Sequence, residues 1–261
     1  MDEKEARQVI EETKNKYRKE TILLNPQYNS PISGCDISKF GGSPMISEMD
    51  SWPCCDICRT PLNFVLQLFK SDFPEFYFPE NKDLFQIFRC PNEDCSYMED
   101  NCEESDRKMF VFYSNSKSEY QKEIDPPHFP EDGDFEDPVP ECLLSPKKVV
   151  DYPIGEYLEY EDPDFPSIHD DGNEVLSELI NEISPVVGSK LGGYPSYLQG
   201  SPDVECECGK EMDFLIQISG EEPEKIDGNW SPHGLMIGDL GNIYWFLCPD
   251  CKSIKSTWDC G

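Results

Sequence analysis

A chain of 261 residues with 37% hydrophobic and 12% aromatic side chains is long and apolar enough to bury a core, as one large domain or two modest ones. Its 53 acidic against 22 basic residues leave a formal charge of −31, which argues against nucleic acid, since each phosphate contact calls for Lys or Arg, and makes a basic protein or peptide segment the natural partner. The charged opening MDEKEARQVIEETKNKYRKE is no secretory signal and the longest apolar run, FVLQLF, cannot span a bilayer, so the expectation is a soluble cytoplasmic chain with no membrane partner. In that compartment thirteen cysteines, an odd number, point to metal ligation rather than to a disulfide framework.

Residues 3–20 hold helix formers and i,i+4 charge pairs such as Glu12 with Lys16 but few large apolar positions, predicting a surface helix docked by a narrow stripe. The turn signal FGGSP at 40–44 leads into a cysteine phrase, CCDIC, and then LNFVLQLF and LFQIFRC read as strands from their apolar and aromatic enrichment. Between 123 and 171 the composition changes to 16 acidic residues, two lysines and nine prolines, predicting a linker or loosely ordered insertion. Its EDGDFEDP, 131–138, lacks the ligand spacing of an EF-hand. Beyond it Val175, Leu176, Leu179, Ile180 and Ile183 recur at helical spacing. The resulting division is a helix and first β unit over 1–122, an acidic segment over 123–171, and a helix and second β unit over 172–261.

The two β units repeat one phrase. GGSP at 41–44 matches GGYP at 192–195, and thirteen positions separate Gly42 from Cys55 and Gly193 from Cys206. Cys58 and Cys208 each stand six residues before a phenylalanine, Phe64 or Phe214, and nine before a glutamine, Gln67 or Gln217. Each half then offers an aromatic strand ending in cysteines, FQIFRCPNEDC and IYWFLCPDC. The pattern predicts an α+β fold, mainly antiparallel β, built from two related repeats with peripheral helices. Phe64, Val65, Leu66 and Phe88 fall in one core, and Phe214, Leu215, Ile216 and Phe246 in the other.

Tight cysteine pairs separated by tens of residues have the spacing of four-cysteine zinc knuckles, with Zn–S of about 2.3 Å. Cys55, Cys58, Cys90 and Cys95 form one candidate site, and Cys206, Cys208, Cys248 and Cys251 the other, for up to two structural Zn2+ ions. Cys54 competes with Cys55 as ligand. A thioredoxin-type reading of CDIC or CPDC fails for want of a βαβ setting. The other cysteines, Cys35, Cys102, Cys142 and Cys260, read as small buried hydrophobes or free thiols, and Gln67 and Gln217 as hydrogen-bonded core amides.

GGSP…CDICRTPLNFVLQLF…LFQIFRCPNEDC resembles the amino-terminal part of programmed cell death protein 2 and its relatives, and KLGGYPSYLQ…CECGKEMDFLIQI…IYWFLCPDC is similar to the YwqG-like family of uncharacterised proteins. The likeness covers about 36–122 and 186–261. It implies a protein-binding role, as chaperone of a basic protein or as immunity protein. No phosphate loop or nucleophile elbow is present, and His128, His169 and His233 stand in no phrase with a nucleophile or a metal-ligand pair. The expectation is therefore a zinc-stabilised interaction module that is not an enzyme, the alternative being a hydrolase or transferase with its site in a cleft between the repeats.

Overall fold

The computed structural model describes residues 1–28, 34–46, 52–92, 95, 109–116, 135–170, 172–200, 204–223, 228 and 230–261. Cys102 and His128 lie outside them. Among the described residues, twelve strands and three α-helices follow in chain order. Helix α1 (Glu3–Tyr17) precedes β1 (Lys19–Leu23), β2 (Pro26–Gln27), β3 (Lys39–Phe40), β4 (Asn63–Phe69), β5 (Leu84–Arg89) and β6 (Met109–Ser114). Strands β7 (Cys142–Leu144) and β8 (Lys147–Asp151) are followed by α2 (Leu158–Glu161) and α3 (Glu174–Leu179), then β9 (Lys190–Leu191), β10 (Asp213–Ser219), β11 (Asn242–Leu247) and β12 (Ile254–Asp259).

The strands form two six-stranded sheets, and each resolved pairing is antiparallel. One has the order β8-β1-β9-β10-β11-β12 and the other β2-β7-β3-β4-β5-β6. The last four strands of each run in the same sequence: a two-residue strand, a long strand carrying the glutamine, an aromatic strand, and a closing strand. The register agrees too, since Lys39 pairs with Gln67 and Phe40 with Leu66, while Lys190 pairs with Gln217 and Leu191 with Ile216. Strands β4 and β5 are buried along their whole length, which is why NFVLQLF and LFQIFR are apolar without alternation. Of the predicted core residues, Phe214 is half-buried and the other seven are buried.

Contacts group the chain into two compact units that are not consecutive stretches. One comprises 1–24, 146–218 and 244–255, the other 25–145, 219–243 and 256–261. In the first, β1 pairs with β8 on one side and β9 on the other, so the amino-terminal segment belongs with the second half rather than in a 1–122 domain. Helix α1 starts at a capping box, in which Glu5 N donates to Asp2 Oδ1 at 2.9 Å and Asp2 N to Glu5 Oε2 at 3.0 Å. Its narrow apolar stripe, Ala6 and Ile10, packs with Leu158, Leu176, Ile180 and Ile183. Lys16 Nζ and Tyr17 Oη both donate to the Asp162 carboxylate, at 2.7 and 2.8 Å.

Acidity and prolines predict a linker or loosely ordered insertion over 123–171. Its described part, 135–170, is instead built into both sheets. Strand β7 lies between β2 and β3, and β8 is the edge partner of β1. An edge strand can turn charges outward, and Lys147 and Lys148 do so.

Candidate metal centres

Three of the four cysteine pairs, Cys55/Cys58, Cys206/Cys208 and Cys248/Cys251, sit on loops closed by backbone hydrogen bonds. Cys55 N donates to Thr60 O at 2.8 Å and Arg59 N to Cys55 O at 3.0 Å. Cys248 repeats this, its N donating to Ser253 O at 2.9 Å while Lys252 N reaches Cys248 O at 3.2 Å. Both loops turn on a left-handed residue just after the second cysteine, Arg59 at φ 64° and Lys252 at φ 62°. The one-residue-shorter pair turns on Gly209 at φ 77°, with Cys206 N on Lys210 O at 2.8 Å and Gly209 N on Cys206 O at 2.8 Å. Cys90 and Cys248 stand just past β5 and β11, so the sheets carry one pair of each site to the other.

The structure brings together Cys55, Cys58, Cys90 and Cys95 in one unit, and Cys206, Cys208, Cys248 and Cys251 in the other, with the four sulphurs of each group within 4.8 Å of one another. A tetrahedral zinc with Zn–S near 2.3 Å sets its sulphurs about 3.8 Å apart. The contacts bracket that value: 3.9 Å for Cys55–Cys95 and 3.5 Å for Cys58–Cys90, then 3.3 Å for Cys206–Cys251 and 3.5 Å for Cys208–Cys248. Cys54 Sγ stands apart, exposed and directed at Trp52 O at 3.6 Å, and it is Cys55 that joins the four-sulphur group.

Within each group some thiols are held down and others pushed up. Against the upward push of burial, hydrogen bonds from Thr60 and the neighbouring cysteines hold Cys58 down to about 6, while burial holds Cys90 far up. In the second group the Cys208 backbone N–H, with Ser253 and Cys251, lowers Cys206 to about 6, and Cys206 in turn raises Cys208 to about 12. Crowded thiols of this kind are a soft donor set that a divalent cation such as Zn2+ would convert to thiolates. Four cysteines leave no open position, the arrangement of a structural ion.

Burial separates the two groups. The first packs under Trp52, Phe64 and Phe88, with Phe110 and Phe112 beside it, and Cys55, Cys90 and Cys95 are buried. The second has Met212, Tyr244 and Phe246 on its inner side, but Cys208 and Cys251 are exposed.

Both glutamines are core amides, as expected of their apolar surroundings. Gln67 Oε1 accepts from Met45 N at 3.0 Å, and its Nε2 donates to Cys35 O and Ile37 O. Gln217 Oε1 accepts from Ser196 N at 2.9 Å, and its Nε2 donates to Gly188 O and Ser196 Oγ. Sequence reasoning missed the lysines beside them. Lys39 and Lys190 are fully buried, the first 2.7 Å from Glu141 Oε2 and the second 3.0 Å from Asp151 Oδ2. The signal was available in the shared phrases KFGGSP and KLGGYP, three residues before Gly42 and Gly193.

In the unit comprising 25–145, 219–243 and 256–261, His233 is wholly buried. It stacks on Phe40 at 4.9 Å, accepts from Leu235 N at Nδ1, and turns Nε2 toward Glu222 Oε1 at 3.4 Å. Cys142 is buried as well, its thiol pushed up to about 11 by burial and by the charges of Glu141 and Glu222, and it donates to Pro232 O at 3.2 Å. His169 is exposed near Glu159. The same unit has a groove of about 720 Å³ between residues 136–140 and 234–238, lined by Arg89, Asp137, Pro138, Leu235 and Met236 among others. The Arg89 guanidinium donates to Met236 O at 3.0 Å and pairs with Glu136.

Two antiparallel sheets of like strand order, each carrying a four-cysteine group, define a class of two-repeat β protein with candidate metal centres. The chain belongs to the family described as Domain of unknown function (DUF1963), which it matches over residues 38–251. No curated protein matches it. Among the described residues no helix is long and apolar enough to cross a membrane.

Proposed function

We propose that the chain is a cytoplasmic protein-interaction module, stapled by two structural zinc ions and binding a basic segment of another protein, with no catalytic role. Within its family we place it in the YwqG-like branch, related to programmed cell death protein 2. The observation that carries the reading is the pair of all-cysteine groups, because four thiolates close a zinc and leave it a folding role, so that the metal chemistry of the scaffold serves shape. The charge of −31 supports a basic partner. So does the groove, where exposed Asp137 and Met236 suit the cationic head and apolar stem of a lysine or arginine side chain.

The test is retention of a Lys/Arg-rich polypeptide on the zinc-loaded chain across a salt series. Binding at low ionic strength that weakens as salt is added, and that drops for Asp137→Lys, is expected. No retention of any basic polypeptide at low ionic strength overturns the reading.

A further inference from the structure

The two cysteine groups share sheet position, loop geometry and ligand type, and differ in access. Three of four sulphurs in the first belong to buried residues and the fourth to a half-buried one, under an aromatic cover. In the second, Cys208 and Cys251 face solvent. A Cβ built on Gly209, next to Cys208, would meet nothing within 4 Å, so the approach over that loop is open. Exposed Cys251 has its nearest sulphur, Cys206, at 3.3 Å, the shortest contact in either group, and Ser253 Oγ lies 3.2 Å from both sulphurs.

We propose that the second group is a thiol modification site at which a peroxide-class oxidant joins Cys206 to Cys251 and releases the metal, while the first group is spared; this rests on both groups holding zinc. The Cys251 thiolate attacks one peroxide oxygen, the O–O bond breaks, and hydroxide leaves a sulfenic acid on Cys251. The Cys206 thiolate then attacks that sulphur, the S–O bond breaks, a second hydroxide leaves, and the disulfide forms. Two thiolates are oxidised by two electrons, and one peroxide is reduced to two hydroxides, protonated by solvent. The metal keeps two of its four ligands and dissociates. Closing from 3.3 Å to a bonded separation of about 2.05 Å needs side-chain rotation and a small shift of two exposed loops. In the first group Cys55, Cys90 and Cys95 are buried and Cys58 is half-buried under the aromatic cover, so packing slows the identical chemistry there.

The experiment uses the full chain loaded with zinc and its metal content measured first, with hydrogen peroxide added in steps. Released zinc is followed with a metallochromic dye, and thiols and disulfides are mapped by alkylation and peptide mass spectrometry. One zinc per chain should leave as a Cys206–Cys251 disulfide appears, with Cys55, Cys58, Cys90 and Cys95 reacting at least about tenfold more slowly, as their shielding demands. Dithiothreitol with zinc should restore the starting state. Equal loss from both groups, earlier loss from the first, or oxidation confined to exposed Cys54 overturns the inference alone. A starting content below two zinc ions per chain overturns the zinc reading and the inference with it.

Discussion

Lys39 and Lys190 each carry a buried ammonium to a carboxylate held against a Gly-Gly turn. Asp151 is the more enclosed, accepting from the backbone N–H groups of Tyr152, Val186 and Tyr194 as well as from Lys190. Gly193, at φ 78°, has room for no side chain: a Cβ would stand 2.2 Å from Asp151 Oδ2. Gly200 has a similar φ of 81° with open space around it. Gly193→Ala should therefore cost about 3 kcal/mol, combining backbone strain with overpacking, and Gly200→Ala only about 1 kcal/mol of strain. Equal losses in urea titration would show that the carboxylate yields. Burial pushes Lys190 down to about 8, with Asp151 pulling it back up. The unfolded chain holds that proton up to the ordinary 10.5, so between 8 and 10.5 the unfolded state binds more protons and the Lys190 contribution to stability rises with pH. The stability difference between the wild-type chain and Lys190→Met, measured from pH 7 to 10, should widen accordingly; a difference that shrinks over that range means the ammonium is better paired than its burial suggests.

The elements that position the cysteines respond differently to loss of one sulphur. Cys90→Ser removes a buried sulphur of the first group just past β5, and because binding energy at a four-thiolate zinc, on the order of 10 kcal/mol, is folding energy, the proposed zinc site predicts that the variant loses one zinc and melts at lower temperature. Cys54→Ser, one position from a ligand but exposed, should keep both zinc ions and its melting temperature. Full zinc content in Cys90→Ser alongside loss in Cys54→Ser would reverse the ligand assignment. Strands β4, β5, β10 and β11 were legible in the sequence because burial on both faces demands unbroken apolar and aromatic runs. Strands β7 and β8 were not, since CLL is short and KKVVD has the outward lysines of an edge, both set in a stretch dominated by acidic residues and prolines. The same blind spot hid the buried ion pairs. Glu141 and Asp151 come from that stretch, and a lysine before a turn reads as a surface residue until its partner is known.

At the scale of the molecule, −31 charges repel one another in the folded state, so raising ionic strength from low to physiological should raise the melting temperature of the zinc-loaded chain. A strong chelator should unfold the chain rather than leave it folded and inactive, seen as loss of near-ultraviolet circular dichroism with metal release. Retained near-ultraviolet signal after complete metal removal would make the sulphur groups dispensable to the fold. The interleaving of the units along the chain bears on how the protein is made. Strand β1 emerges from the ribosome early, yet its neighbours β8 and β9 follow only after β2 to β7 have been synthesised, and β12 closes the same sheet later still. At about 5–20 residues per second the first helix and strand wait for seconds with Ile22, Leu23 and Leu24 uncovered. Each unit draws on segments made before and after the other's, so neither sheet can be completed until the chain through β12 has been synthesised, and the apolar face of β1 stays open until then.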